Sequence, residues 1–279
     1  MKLRPDFFEN RWLRASSNSS LNDPFENRLS DEYLIDMVMS LSVFKAKTRK
    51  EAENIIRNNT GEIDNVIYCY FSDYGVMSFT ETKDNLLMWS HYAEQHQGMV
   101  IEFDPNHEFF TSSYLNQNNS HEGYLARVLY RKERLSEVNK YLMDVFVHKS
   151  DEWAYEKEHR MILNLAAANK KLILNKEERF ISQYFSEEES ANLKKCGDFR
   201  ELSKYHGFSS HSGFLSQKEV LCMYELPKES IKSVIFGCNS NDLLIEESKE
   251  ILTDYRNVSV YKSRIDNIDY RLRFDDISL

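Results

Sequence analysis

The stretch Trp153-Ala-Tyr-Glu-Lys-Glu-His-Arg160, running directly into Met161, Ile162 and Leu163, decides how this chain is read. Side chains alternate faces along an extended strand. On a strand over Glu156–Leu165, Glu156, Glu158 and Arg160 share one face, with about 7 Å between neighbours. A guanidinium beside a carboxylate favours the ionised acid. An ionised carboxylate at a strand edge can orient a sugar hydroxyl or stabilise an oxocarbenium-like centre. The competing reading is a surface ladder of Glu and Arg, which contributes little.

Upstream, residues 11–26 read as an extended piece entering the turn Asn22-Asp23-Pro24. Ser30 caps a helix beginning at Asp31, and a second helix covers Lys50–Arg57. Val66–Phe71 reads as a strand from its β-branched and aromatic content, and Val76–Thr80 as another. Asp84 caps a helix running to Gln97 and ended by Gly98. Met99–Phe103 is a strand closed by Asp104-Pro105. Asn116–Ser120 is a polar loop, Tyr124–Tyr130 a strand and Arg134–Lys149 a helix.

Downstream, residues 176–216 are polar and weakly periodic. They read as a mobile insertion with a helix near Glu177–Lys194. The tail, His206–Gly213, is either a lid over a site or, as favoured, a plain surface loop. Strands at Glu219–Leu226 and Ile231–Phe236, a helix at Asp242–Tyr255, and strands at Val258–Tyr261 and Tyr270–Phe274 complete the chain. This order predicts an α+β fold with mixed, mostly antiparallel sheets and flanking helices, in one domain over residues 1–279.

The chain carries a formal charge of −9, which argues against sequence-blind attraction to nucleic acid. No span is apolar enough to cross a bilayer, and the N-terminus lacks a signal-type apolar run, so a cytoplasmic protein with no membrane partner is expected. Cys69, Cys196, Cys222 and Cys238 are scattered. Cys69 and Cys222 read as buried reduced thiols, and no metal site is expected. Glycines form neither a dinucleotide-binding nor a P-loop pattern.

A second constellation is Asn85-Leu-Leu-Met-Trp-Ser-His-Tyr-Ala-Glu-Gln-His-Gln-Gly98. On a helix, Trp89, Tyr92, Ala93 and His96 fall within a stripe of about 100° that can pack on a sheet. His91 and His96 lie about 140° apart and cannot share a metal. Either these are packing residues, or His91 and Tyr92 offer a stacking face and a hydrogen-bond handle to a nicotinamide or adenine ring.

Three groups of segments, in order and spacing, carry a family resemblance. They are Leu21-Asn-Asp-Pro-Phe-Glu26; Cys69-Tyr-Phe-Ser72 with Met88-Trp-Ser-His-Tyr-Ala93 and His96-Gln-Gly98; and Lys149 with Trp153–Arg160. Ser233-Val-Ile-Phe-Gly237 also fits. Together they resemble the bacterial family called domain of unknown function 2971, from about residue 10 to the end. The segment ahead of the Asn-Asp-Pro-Phe-Glu turn is short here, and Tyr70 interrupts the Cys-Phe-Ser pattern. The family layout looks like ADP-ribosyltransferase-like folds of toxin–antitoxin and phage-defence systems, which split a mixed sheet around an NAD cleft. Glu156-Lys-Glu158 is similar to the E-x-E signature of one branch.

The resemblance implies an NAD-consuming ADP-ribosyltransferase acting as a toxin or antiviral effector on protein, RNA or DNA, with an antitoxin or other defence protein as partner. Glu158 would hold the nicotinamide-ribose hydroxyl and stabilise the transition state. Glu156 would position or deprotonate the acceptor. Arg160 would keep Glu158 ionised or pair with a phosphate. Tyr92 and His91 would line the nicotinamide or ribose pocket, Asn22 and Asp23 would shape the wall, and Arg14 or Arg11 would supply the first-strand contact to NAD. NAD is then a substrate and no metal is needed. Two other readings stand: a noncatalytic nucleotide- or protein-binding module and, lower, a nuclease. The enzymatic reading requires that these segments meet in one crevice and that the essential acid is not locked in an interior ion pair.

Overall fold

Strand β1 (Trp12–Ser17) is the pivot of the molecule. In the computed structural model, which describes residues 1–17, 20–26, 28–111, 124–138, 142–202 and 213–277, it pairs on two sides. Trp12–Ala15 run antiparallel to Glu225–Cys222, while Ser16 and Ser17 pair with Val76 and Gly75. One strand thus joins two antiparallel halves.

The other strands, in chain order, are β2 (Tyr74–Thr80), β3 (Met99–Phe103), β4 (Tyr124–Arg127), β5 (Leu129–Arg131), β6 (His148–Ser150), β7 (Glu158–Asn164) and β8 (Lys170–Leu174). They continue with β9 (Lys194–Cys196), β10 (Phe199–Glu201), β11 (Val220–Glu225), β12 (Ile231–Phe236), β13 (Ser259–Ile265) and β14 (Leu272–Asp276). The large sheet has the order β4-β7-β2-β1-β11-β8-β10-β9. A second sheet, β14-β13-β12-β3, contains a parallel pair between β12 and β13. A short parallel pair joins β5 to β6. The fold is α+β with mostly antiparallel, open sheets.

The main core lies where the large sheet meets the second sheet and the helix Asp242–Leu252. Phe7, Phe8, Met77, Met99, Met161, Leu226, Phe236 and Leu252 are buried there. A second core under the helix Asp31–Ser40 gathers Tyr33, Met37, Phe71, Phe146 and Ile162. Of the expected caps, Ser30 is observed, whereas Asn85 and not Asp84 caps the helix Leu86–Tyr92 because the Asn85 side chain accepts from the Leu87 and Met88 N–H groups. Ser30 Oγ accepts from the Tyr33 N–H, and Asn241 caps the helix Asp242–Leu252. No helix among the described residues is long and apolar enough to cross a membrane.

Several expected elements differ. The expected strand Tyr124–Tyr130 is two, β4 paired with β7 and β5 paired with β6, because the ladder to β7 ends where the buried Val128 donates to the carbonyl of Glu158, the first residue of β7. Val66–Phe71 is the end of a helix, Thr60–Phe71. Ile63, Ile67 and Phe71 stand four residues apart and pack into adjoining cores. That spacing outweighs the local β propensity. Residues 134–149 do not form one helix. Residues 139–141 lie outside the described set, a 3₁₀ turn covers Leu142–Val147, and β6 follows. Arg134 binds the carbonyls of Arg28 and Leu29, and the Val138 N–H donates to Asp36. These bonds hold the segment against residues 28–36 in place of helical bonds. The helix capped at Asn85 spans only Leu86–Tyr92. Glu94, Gln95 and His96 all take positive φ, and His96 folds back to stack on Trp89 at 6.1 Å between ring centroids.

Within residues 176–216 the structure forms helices Glu178–Tyr184 and Glu187–Asn192, the second started by a capping box at Ser186 and Glu189. Strands β9 and β10 extend the large sheet. Of the lid-or-loop segment, residues 206–212 lie outside the described set. So does the loop at residues 116–120. Cys222 is buried, as expected, whereas the Cys69 side chain lies outside the description.

Two glycines hold the Trp89 turn against the second sheet. The Gly237 N–H donates to the Gly98 carbonyl at 2.9 Å. A Cβ on Gly237 would sit 2.0 Å from the His96 carbonyl oxygen, which is backbone and cannot move aside. Gly237→Ala is therefore expected to lose about 1–3 kcal/mol in urea denaturation. Gly61→Ala, whose added Cβ meets nothing within 4 Å, is expected to be neutral or slightly stabilising. Equal stability of the two variants would contradict the close contact.

Candidate functional site

Strand β7 begins at Glu158 and buries alternate residues at its start, with Glu158 and Arg160 facing inward. Its register places Arg160 opposite Ser78 and Glu158 opposite Thr80 on β2. Glu156 is not on the strand. It ends a 3₁₀ turn, Asp151–Glu156, and Lys157 takes a left-handed conformation to enter β7. The expected three-residue row on one strand is thus corrected to a turn residue plus two strand residues. The turn still delivers Glu156 to the same place, held by a 2.6 Å bond from the Thr80 hydroxyl to its carbonyl.

Five charged side chains meet there. Arg160 binds Glu158 with two nitrogens, at 2.8 and 3.0 Å, donates to the Phe146 carbonyl at 2.8 Å, and reaches Glu26. Lys149 lies 2.7 Å from Glu156, 3.3 Å from Glu158 and 3.3 Å from Glu26. Its ammonium also sits 4.8 Å from the centroid of the Trp153 ring. All five are at least nine-tenths buried. Three carboxylates therefore face two cations out of water.

Burial opposes ionisation of Glu158. The Arg160 bond and the Arg160 and Lys149 charges overcome it and hold that carboxyl below its usual range. Burial likewise works against the Lys149 cation, but Glu158, Glu26 and Glu156 raise its pKa above the ordinary lysine value. Tyr92 extends the network outward. Its hydroxyl donates to Glu156 Oε1 at 2.5 Å and lies 3.5 Å from the Asn22 amide. Burial, then the bond to Glu156, pushes the Tyr92 pKa up.

The cluster forms part of the lining of a cleft of about 1150 Å³. Aromatic and apolar walls come from Phe79, Phe103, Phe110, Met88 and Leu125. Asn22, Tyr92, Glu156, Glu158 and Arg160 all border it, as do Lys83, Lys157 and His159. The other expected site residues lie elsewhere. Arg14 binds Ser20 and the carbonyls of Lys218 and Val220 beside β11. Arg11 pairs with Glu225. His91 is exposed, edge-on to Tyr92 and outside the cleft lining. Asp23 is buried in a neighbouring cavity. Nor is Glu158 a free acid, since both its oxygens are bound by cations. Lys149 and Glu26 are the members that motif reasoning left out of the site. The signal was present, because Lys149 and the Asn-Asp-Pro-Phe-Glu26 turn both belong to the recognised pattern. Lys149 also occupies the position between the three acids that a nuclease metal would need.

The molecule is thus an α+β protein with a buried ion cluster under a large cleft. Residues 88–161 match the model of a family described as Protein of unknown function (DUF2971), and the chain resembles that family. The matched span runs from the Trp89 helix to β7 and holds Tyr92, Lys149, Glu156, Glu158 and Arg160. No curated protein and no solved structure matches the chain.

Removing one partner from a buried ion network strands the others, at about 3–5 kcal/mol. Lys149→Met is expected to lose that much in urea denaturation, and Glu26→Gln less than half of it, because it removes the surplus acid. A loss under about 1 kcal/mol for Lys149→Met would show that the network does not hold the cleft floor. The pH dependence follows from Glu158. Its folded pKa lies below the ordinary value of 4.5, so its stabilisation is present above pH 4.5 and lost as pH falls towards the folded pKa. Glu158→Gln is expected to flatten that acid limb of the stability profile. An unchanged slope would rule out Glu158 as its source.

Proposed function

We propose that the cleft receives NAD with its nicotinamide end on the acidic floor, and that the protein transfers the ADP-ribose to a macromolecular acceptor. The observation that carries this reading is the imbalance of the floor, three carboxylates against two cations. Breaking the nicotinamide–ribose bond releases neutral nicotinamide and leaves positive charge developing on the ribose carbon. A fixed anionic floor favours that charge without reorganising. The cleft is large enough for a dinucleotide, and Lys83 and Lys157, which border it, would meet the diphosphate.

The roles differ from a simple reading of the E-x-E motif. Glu158 is saturated and acts as the anchor of Arg160 and Lys149. Glu156 is buried and paired with Lys149 through Oε2, but its Oε1 is held by the Tyr92 hydroxyl and not by a cation, and a ribose hydroxyl would take that place. The acceptor is protein, RNA or DNA. The setting is a cytoplasmic toxin–antitoxin or antiphage effector, restrained by a partner protein.

One observation favours a second reading, a noncatalytic nucleotide-binding module. Every acid of the floor already has a cationic partner, and the interior ion pair of Glu158 is the arrangement that disfavours the enzymatic account.

Nicotinamide release from NAD, measured with and without cell extract, separates them. Turnover is expected in the intact protein and to fall about 10²–10³-fold in Glu156→Gln, with Tyr92→Phe also reduced, each variant being assayed at a temperature where its circular dichroism shows it folded. Saturable NAD binding without release supports the module. Absence of both binding and release removes the NAD reading altogether.

A further inference from the structure

The second sheet ends in β14, whose outer side pairs with no strand among the described residues. Its ladder to β13 runs without a register shift. At one end the Asp266 N–H donates to the Arg271 carbonyl, and at the other the Ile277 N–H donates to the Val260 carbonyl. Residues 271 and 277 therefore face β13. Strand alternation turns the Arg273 and Asp275 backbone the same way and the Leu272 and Phe274 backbone outward. An open backbone edge is a template for another strand. The outer strand of the large sheet is guarded against this, since β9 is three residues long and carries the exposed Lys194 and Lys195. Strand β14 is longer, at five residues, and contains no proline.

The charges of β14 select its partner. Arg273 and Asp275 share the solvent face, with side chains 45% and 54% exposed. Arg273 pairs through Nε with Asp266, and Asp275 accepts from Arg264, but a guanidinium and a carboxylate each have capacity for a second partner. An antiparallel second copy centred on Phe274 sets Arg273 of each chain opposite Asp275 of the other. Shifted by two residues one way, Arg273 meets Arg273, and shifted the other way, Asp275 meets Asp275. Only the centred register joins opposite charges at both positions and no like ones. The hairpin tip beside β14 adds apolar surface, because Ile268 and Tyr270 are fully exposed and Ile265 largely so. Asp266 fixes that tip, accepting from the Ile268 and Asp269 N–H groups at 2.8 and 3.0 Å and pairing with Arg271. Little ordering is then left to oppose association.

We infer that two copies of this chain join through β14, antiparallel about a two-fold axis at Phe274, so that their second sheets become one. Such an interface is isologous, and each Arg273–Asp275 contact occurs twice. Lys83, whose ammonium lies 5.3 Å from the centroid of the Phe274 ring, also borders the cleft, so the interface adjoins the cleft rim. Dimerisation uses no residue of the buried ion cluster and stands apart from the NAD reading.

Sedimentation velocity of the full chain, from about 1 μM to 1 mM, tests the assignment. A dimer that grows with concentration is expected. Arg273→Asp and Asp275→Arg each set like charges opposite one another twice per dimer, and each is expected to weaken association about tenfold or more. Mixed in equal amounts, the two variants restore opposite charges across both contacts, and a heterodimer of about parental affinity is expected. That recovery also shows that neither variant lost its dimer by misfolding. A chain that stays monomeric at every concentration would overturn the inference. A dimer weakened by neither substitution would overturn it too, by placing the interface elsewhere. Loss in the single variants without recovery on mixing would rule out the register.

Discussion

The bidentate contact of Arg160 with Glu158 is the constraint on which the rest of the structure depends. Both groups stand on one strand, two residues apart, and both point into the interior. Neither can be buried alone, because an isolated charge out of water costs several kcal/mol. Arg160 has donors left over, and they draw in Glu26 from the N-terminal turn and the Phe146 carbonyl from the 3₁₀ turn. Glu158 has an oxygen to share, and it draws in Lys149, which brings Glu156. The network therefore dictates which segments converge.

The surroundings serve that convergence. Strand β7 is held between β2 and β4, so both its edges are hydrogen-bonded and its register is fixed. The break at Lys157 lets Glu156 leave the strand and approach from the turn. The Trp89 helix stops early, and the Gly98–Gly237 contact presses its turn against the second sheet. That position puts Tyr92 at the outer edge of the charge cluster, where one hydroxyl links the buried acids to the open cleft. The same cluster separates two cavities of different character, since Glu26 and Lys149 border both.

Much of this was legible in the residues. The α+β class followed from the alternation of short strands and capped helices, and Met99–Phe103 and Ile231–Phe236 were read with their observed bounds. The cap at Ser30 acts through a local hydrogen bond, so sequence carries it directly. Val66–Phe71 has the β-branched content of a strand, but the spacing of Ile63, Ile67 and Phe71 makes it the end of a helix. The Trp89 helix ends earlier than its local pattern implies, because its end depends on a tertiary contact, the approach of Gly237, which no local pattern announces. At the site, the Glu-Lys-Glu-His-Arg motif marked the right strand but not the burial of its acids. Burial there depends on Lys149 and Glu26, which arrive from far along the chain. Arg14 was assigned by position in the first strand, and its side chain instead binds backbone carbonyls beside β11.

The order in which the chain is made gives the Glu26–Arg160 contact a kinetic meaning. Its two ends are separated by 134 residues. Glu26 is synthesised long before its counter-ion exists, and until then it keeps its hydration shell because nothing repays desolvation. The N-terminal turn cannot close over the interior during that interval. The cleft floor consequently cannot set before β7 is made, and a chain interrupted before β7 has no means of assembling it.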